Sequence, residues 1–357
     1  MRLKATELRR QSRSQMEFGN EGEVSMLLEL MSEIDFHSWC REAEIEREAS
    51  FRREAAESLQ TNQIDPKLLY VTPRQAELWR QVNLRHSPIH GNPEFARIYR
   101  EAFARVAENL SPETSWLVGL GCGTGLKESE LCSQLKARGR RVLFSAVDVS
   151  HDLVVESVEK LAASGAEQER SLVCDLAEAN FLKEWLARTG IDAPRLFTFF
   201  GLAPNLAPSL VTRLFREILR PGDILLASAH LAPVGEGMAL PEAMKSVLPQ
   251  YDNPETLAWL TAALESWGLR NRVDAPEMKI GEVDGVPAFV ATARWKSSEP
   301  FEQWGHPFSP KIEEPLRLFH SLRYTPSLFE NLLRGEGFNA ELLALTSCRE
   351  EAIWAIR

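Results

Sequence analysis

The sequence predicts an α/β fold: a doubly wound parallel sheet, a second, smaller domain and an N-terminal helical extension. Three observations carry that expectation. From Trp116 to about 229, short runs that are apolar along their whole length alternate with amphipathic helical stretches. Strands covered by helices on both faces read that way. From about 231 to 317 the alternation stops. Before about 60 the chain is dense in charged helix formers, with no Gly or Pro from 23 onward.

The elements follow in order. "EVSMLLELMSEIDFHSWCREAEIEREASFRREAAESLQ", about 23–60, reads as two helices with mixed faces, a solvated arm packed on the core or on a second subunit. Between 61 and 110 come "LLYVTPRQAELW" and an amphipathic helix opening at Asn92-Pro93. The strand runs are "WLVGL" (116–120), "VLFSAV" (142–147), "SLVC" (171–174), "RLFTFF" (195–200) and "DILLASA" (223–229). Helices near 126–138, 152–163, 178–189 and 207–219 separate them. In the insertion, "MKIGEVDGVPAFVATARW" predicts a hairpin turning at Asp284-Gly285. The end of the chain predicts a helix, a Gly-rich stop and two strands joined by "CREE". The expected units are therefore 1–60, then 61–230 with 318–357, with 231–317 inserted.

Composition narrows the function classes. With 357 residues the chain can bury a sizeable core. Its net charge of −10 argues against a non-specific nucleic-acid or anionic-membrane partner. The five cysteines (Cys40, Cys122, Cys132, Cys174 and Cys348) form no CxxC pair and no zinc spacing. Scattered in this way they fit a reduced, cytoplasmic compartment. No apolar run is long enough to span a membrane, and the basic opening "MRLKATELRRQSRSQ" lacks the apolar stretch of a secretory signal. Metal chemistry is not expected: His86 and His90 are four apart, but Ser87-Pro88 between them breaks a helix.

The chemistry-bearing stretch is "WLVGLGCGTGLKESEL". A strand runs into small residues and then a helix, so the backbone can approach a ligand closely and the helix N-terminus offers free N–H groups. Alone, this pattern suits a nicotinamide dinucleotide, S-adenosylmethionine or a ligand-free turn. The dinucleotide fingerprint is G-x-G-x-x-G, whereas these glycines alternate at 119, 121, 123 and 125. A second strand then ends in Asp148, 25 residues after Gly123. A carboxylate there can accept both hydroxyls of a ribose. "CDL" places Asp175 after the third strand, where an acid can meet an adenine amino group.

Together "LVGLGCGTGLKESEL", "AVDVSHDLVVESVEKL", "FFGLAPNLAP" and "LRPGDILLASAHL" resemble the histidine-specific, S-adenosylmethionine-dependent methyltransferase family. "YVTPRQAE", "QYDNPETLAWL" and "FHSLRY" add to the likeness, which runs from about 70 to 357. The resemblance implies a Rossmann-like class I methyltransferase sheet, an insertion that serves the substrate, and S-adenosylmethionine as cofactor. In its light Gly121 and Gly123 would line the methionine moiety and Lys127 would pair with its carboxylate. Asp148 would hold the ribose and Asp175 the adenine amine, with Val149, Ser150 and Leu176 beside them. Asn205 would bind the α-carboxylate or amine of an amino-acid substrate, with Tyr70 and Tyr251 nearby.

Two departures stand out. The family carries an acid where this chain has Gly119. It also carries a glutamate, one residue, then a serine against the substrate imidazole; here Ser321 is kept and Phe319 replaces the glutamate. A phenyl ring would leave an imidazole N–H unpaired, at roughly 1–3 kcal/mol. His320, between them on a strand, would face the other way. The expected function is N-methylation of an amino acid or related small amine, with an altered imidazole pocket. The alternatives are a methyltransferase for a natural-product intermediate or protein side chain, and a non-catalytic cofactor binder on the same fold. No catalytic base is legible. The number of methyl groups transferred and the oligomeric state are open.

Overall fold

Residues that alternate between two apolar environments build the centre of the chain. The computed structural model describes residues 34–36, 44–110, 113–235 and 237–357. The basic opening and most of the stretch expected as the first helix of the arm lie outside the described residues. The strands are β1 (Ile34–Phe36), β2 (Thr114–Leu120), β3 (Arg141–Asp148), β4 (Glu167–Gln168), β5 (Ser171–Val173), β6 (Arg195–Phe200), β7 (Ile224–His230), β8 (Glu277–Val283), β9 (Val286–Ala293), β10 (Phe301–Gln303), β11 (His306–Phe308), β12 (Leu316–Leu322), β13 (Ala340–Leu345) and β14 (Glu351–Ile356). Among the described residues the large sheet has nine strands, in the order β1-β5-β3-β2-β6-β7-β14-β13, with β4 beside β3. Strands β1 to β7 run parallel; β14 joins β7 antiparallel, and β13 joins β14 antiparallel.

Side-chain alternation explains the two layers. On β2, Trp116, Val118 and Leu120 enter one core, with Phe197, Phe199 and Trp354. Leu117 enters the opposite core, with Phe144, Leu131 and Val158. The helices Leu126–Ala137 and His151–Ala163 cover that second face, while Ala179–Arg188 and Pro208–Ile218 cover the first. Chain order reverses between β2 and β6. In such sheets ligands bind outside the C-terminal strand ends at that switch.

A third core lies beside the sheet. It draws on Leu59, Leu68 and Leu78 from the N-terminal side, Trp259 and Leu264 from the insertion, and Phe319 from β12. The helix Glu44–Gln60 supplies Ala55 and Leu59 to it, so this part of the arm is packed on the core rather than solvated throughout. The hairpin expected at Asp284-Gly285 forms there, with φ of 52° and 74° at its two turn residues, the left-handed values of a two-residue turn. One element departs from expectation. Ile34–Phe36, read as helix, is a strand paired in parallel with Ser171–Val173. It closes the edge of the sheet, where a short β-branched and aromatic stretch finds hydrogen-bond partners that local sequence does not reveal. No helix among the described residues is long and apolar enough to cross a membrane.

Candidate active site

The glycine turn after β2 is a cradle with no room for side chains. Gly121, Gly123 and Gly125 all have positive φ. A Cβ on Gly121 would lie 2.5 Å from Leu202 Cδ2, and one on Gly123 would lie 2.8 Å from the Trp79 ring. Gly121 N–H donates to the Val147 carbonyl at 2.7 Å, which ties the turn to the end of β3.

Asp148 completes that tie. Its carboxylate accepts N–H bonds from Gly123 at 3.0 Å and from Ser150 at 2.9 Å. Ser150 precedes the helix His151–Ala163 and makes no side-chain cap. Burial pushes the Asp148 carboxyl up to about 6, against the pull of N–H groups from Ser150, Gly123 and Val149. An ionised carboxylate offers about four acceptor sites, so these three N–H groups leave about one free. The second carboxylate is engaged differently. Asp175 accepts Ala177 N–H at 2.8 Å and pairs with Lys67 Nζ at 3.1 Å; Lys67 in turn reaches Glu54 at 3.1 Å. Leu176 is buried and faces Gly121, 3.8 Å from the position its Cβ would take.

Gly119 has its own compensation. A Cβ there would stand 2.9 Å from Cys122 Cβ and 3.5 Å from Glu128 Cγ. Glu128, 3% exposed in the first turn of the helix, fills that space and accepts the Thr198 hydroxyl at 2.9 Å. Burial raises its carboxyl.

Lys127 projects from the same turn toward the strand ends. Its ammonium lies 4.5 Å from the Tyr99 ring centre and 3.7 Å from Glu351 on β14. Glu351 is 1% exposed and accepts the Tyr99 hydroxyl. Burial pushes its carboxyl up, but Lys127, His230 and the bonds from Tyr99 and Ser228 outweigh that and hold it below the usual range.

Beside Lys127 opens a cleft of about 160 Å³. Lys127, Gly201, Asn205 and His230 form its polar end, and Tyr70, Trp79, Tyr251, Trp259 and Phe319 its aromatic walls. Asn205 closes the short helical turn Ala203–Asn205 after β6. Tyr70 packs 6.2 Å from Trp79 and 5.3 Å from Trp259, and Phe319 stands edge-on to Trp259 at 5.5 Å. Burial, then the Asp148 charge, raises the Tyr70 hydroxyl. Tyr251 stacks under the buried Arg323 guanidinium at 4.4 Å. No carboxylate lines the cleft among the described residues. Ser321 does not line it either; it is 1% exposed and its hydroxyl accepts from Arg323 at 3.4 Å. His320 points away and is buried with Nε2 unpartnered.

The structure thus brings Tyr70, Lys127, Asn205, Tyr251 and Phe319 to one cleft and sets Gly121, Gly123 and Asp148 together at the glycine turn. Among the other lining residues, which were not singled out from the sequence, are His230, Trp79, Trp259 and Thr256. His230 had a signal, since it ends a predicted strand on the ligand side of the sheet. Thr256 and Trp259 lie in the quoted stretch "QYDNPETLAWL", but helical spacing does not say which of its faces meets a cleft, and the same holds for Trp79. A second cavity, of about 200 Å³, lies at the opposite strand ends. Its charged pair, Arg195 and Asp223, is mutually satisfied and offers no reactive group.

Comparison with known proteins follows from this geometry. Among solved structures, the chain is similar to an O-methyltransferase described as putative from Nostoc punctiforme PCC 73102 (8% identity, TM-score 0.39, covering 73% of this chain and 57% of that one). It is also similar to the N,N-8-amino-8-demethyl-D-riboflavin dimethyltransferase RosA from Streptomyces davawensis (12% identity, TM-score 0.38, 80% and 59%). A third is the magnesium protoporphyrin IX methyltransferase ChlM from Synechocystis PCC 6803 with bound SAH (13% identity, TM-score 0.35, 80% and 94%). The chain spans about three fifths of the length of the first two. Likenesses this distant carry nothing about substrate. A search of curated proteins found no match. A family model described as "Histidine-specific methyltransferase, SAM-dependent" matches residues 51–240, more than half of the chain. With the glycine turn, the strand-end aspartate and the strand order already in place, that match assigns the family: the chain belongs to the histidine-specific, SAM-dependent methyltransferases.

Proposed function

We propose that the chain methylates the amine of an amino acid or related small amine whose side chain is uncharged and aromatic or aliphatic. One observation carries the choice of acceptor. Phe319 lies in the cleft wall against Trp259, and no carboxylate lines that cleft among the described residues. An imidazole N–H would find no anionic acceptor there, whereas a flat or branched apolar side chain would match the walls.

The cradle fits S-adenosylmethionine. Gly121 and Gly123 hold a left-handed turn that has no room for a Cβ, Lys127 offers a cation for the methionine carboxylate, and Asp148 keeps an acceptor site for the ribose. Asp175 would reach adenine only with Lys67 still attached to it. Bound there, the cofactor supplies an electrophilic methyl group. The protein's part is to position the acceptor through Asn205 and the aromatic walls and to exclude water.

Calorimetry with S-adenosylhomocysteine present tests the acceptor. An aromatic or aliphatic amino acid is expected to bind at least tenfold more tightly than L-histidine. Phe319→Glu should reverse that preference. Tight binding of L-histidine by the wild type would overturn the reading.

A further inference from the structure

We propose that His230 is the proton acceptor of the reaction; the inference rests on the amine-acceptor reading above. An amine nucleophile arrives mostly as an ammonium at neutral pH and must lose a proton before it can attack. The cleft offers few groups that could take it. Lys127 is a cation, and the Tyr70 hydroxyl is raised by burial. The Tyr251 ring lies under the Arg323 guanidinium, and a tyrosine hydroxyl must shed its own proton before it can take another. Asn83, Asn205, Gln250, Ser87 and Thr256 do not accept protons. Of the two histidines in the lining, His86 is held at 3.1 Å by Glu255 on the outer rim. That leaves His230.

Its placement suits the role. His230 ends β7, next to β6, whose end carries Gly201 and Asn205. Nε2 lies 3.6 Å from the position a Cβ on Gly201 would take, so glycine there leaves the imidazole open to the cleft. Directly across the antiparallel pair sits Glu351, and opposed residues on one face of such a pair are neighbours. Charged groups face the ring from three elements: Glu351 on β14, Lys127 on the helix after the glycine turn, and Arg323 beyond β12. Burial pulls the imidazole down to about 4; Lys127 and Arg323 push the same way and Glu351 opposes them. The ring is therefore neutral at neutral pH, with a lone pair available. Lys127 now neutralises Glu351 at 3.7 Å. Any carboxylate ligand that engages Lys127 adds negative charge beside the ring and raises its basicity.

In the step, one N–H bond of the acceptor ammonium breaks. Its proton passes to the imidazole nitrogen, and the electron pair stays on the acceptor nitrogen as the nucleophile. Glu351 is the counter-ion of the imidazolium so formed, which returns its proton to solvent through the cleft mouth before the next turnover.

The test is the pH profile of kcat/KM. The wild type should show a plateau between about pH 6 and 8, below the pKa of the free amine. His230→Gln should bind S-adenosylhomocysteine as the wild type does, by calorimetry. At pH 7 it should lose about 10²–10⁴-fold in rate, then gain about tenfold per pH unit as the free amine deprotonates itself. A variant as fast as the wild type at pH 7, or one slowed equally at every pH, would overturn the assignment. So would a wild-type profile that itself climbs tenfold per unit through this range, a result that needs no variant to fold. A wild type that binds the cofactor but methylates no amine would overturn the acceptor reading and this inference together.

Discussion

Asp148 serves the fold, and on the reading proposed above it serves the cofactor as well. Its carboxylate fastens the glycine turn through Gly123 N–H at 3.0 Å, and burial lifts its pKa to about 6. The folded value lies above the ordinary 3.8. Its contribution to stability is thus present below about pH 4 and lost as pH rises through about 6. At neutral pH the chain holds a charge it would rather shed, and ribose hydroxyls would be its compensation. Two results are expected. Affinity for S-adenosylhomocysteine, followed by calorimetry, should weaken as pH falls below about 6. Asp148→Asn, whose amide can accept only one of the Gly123 and Ser150 N–H bonds, should lose about tenfold or more in that affinity, by calorimetry. An unchanged affinity would remove Asp148 from the cofactor site. Asp148 was legible because its position depends on local spacing. Glu351 was not, because it meets His230 only through the β7–β14 pairing, and Glu128 was not, because only the fold puts it beside Gly119.

Among the elements, the glycine turn between β2 and the helix Leu126–Ala137 is where the cofactor is proposed to sit. Gly123 has φ of 53° and the Trp79 ring 2.8 Å from any added Cβ. Gly123→Ala should cost roughly 1–3 kcal/mol by urea unfolding, from left-handed strain and the clash. It should also weaken S-adenosylhomocysteine binding by more than tenfold; wild-type affinity in the variant would show that the turn is not the cradle. The strands β2, β3, β6 and β7, the helices between them and the Asp284-Gly285 hairpin were readable because periodicity and turn chemistry are local. β1 was not. Three residues are too few to show a period, and the stretch around them is rich in helix formers, so only its pairing with Ser171–Val173 makes it a strand. Ser321 fails for a related reason. Sequence order sets it two residues from Phe319, yet its hydroxyl turns to Arg323 instead of the cleft.

Across the whole molecule, two cores hold the sheet and a third builds the acceptor side from both ends of the chain, with Leu59 and Leu78 meeting Trp259 and Phe319. The cleft opens where that third core meets the C-terminal strand ends, so the glycine turn and the cleft's aromatic walls belong to different packing units. On the reading proposed above, the first holds the cofactor and the second selects the acceptor. The most direct test is methyl transfer from S-adenosylmethionine to each of the standard amino acids, read by mass spectrometry. Methylated product from an aromatic or aliphatic amino acid, with histidine a poor acceptor, is the result predicted here. Product from histidine alone would contradict it.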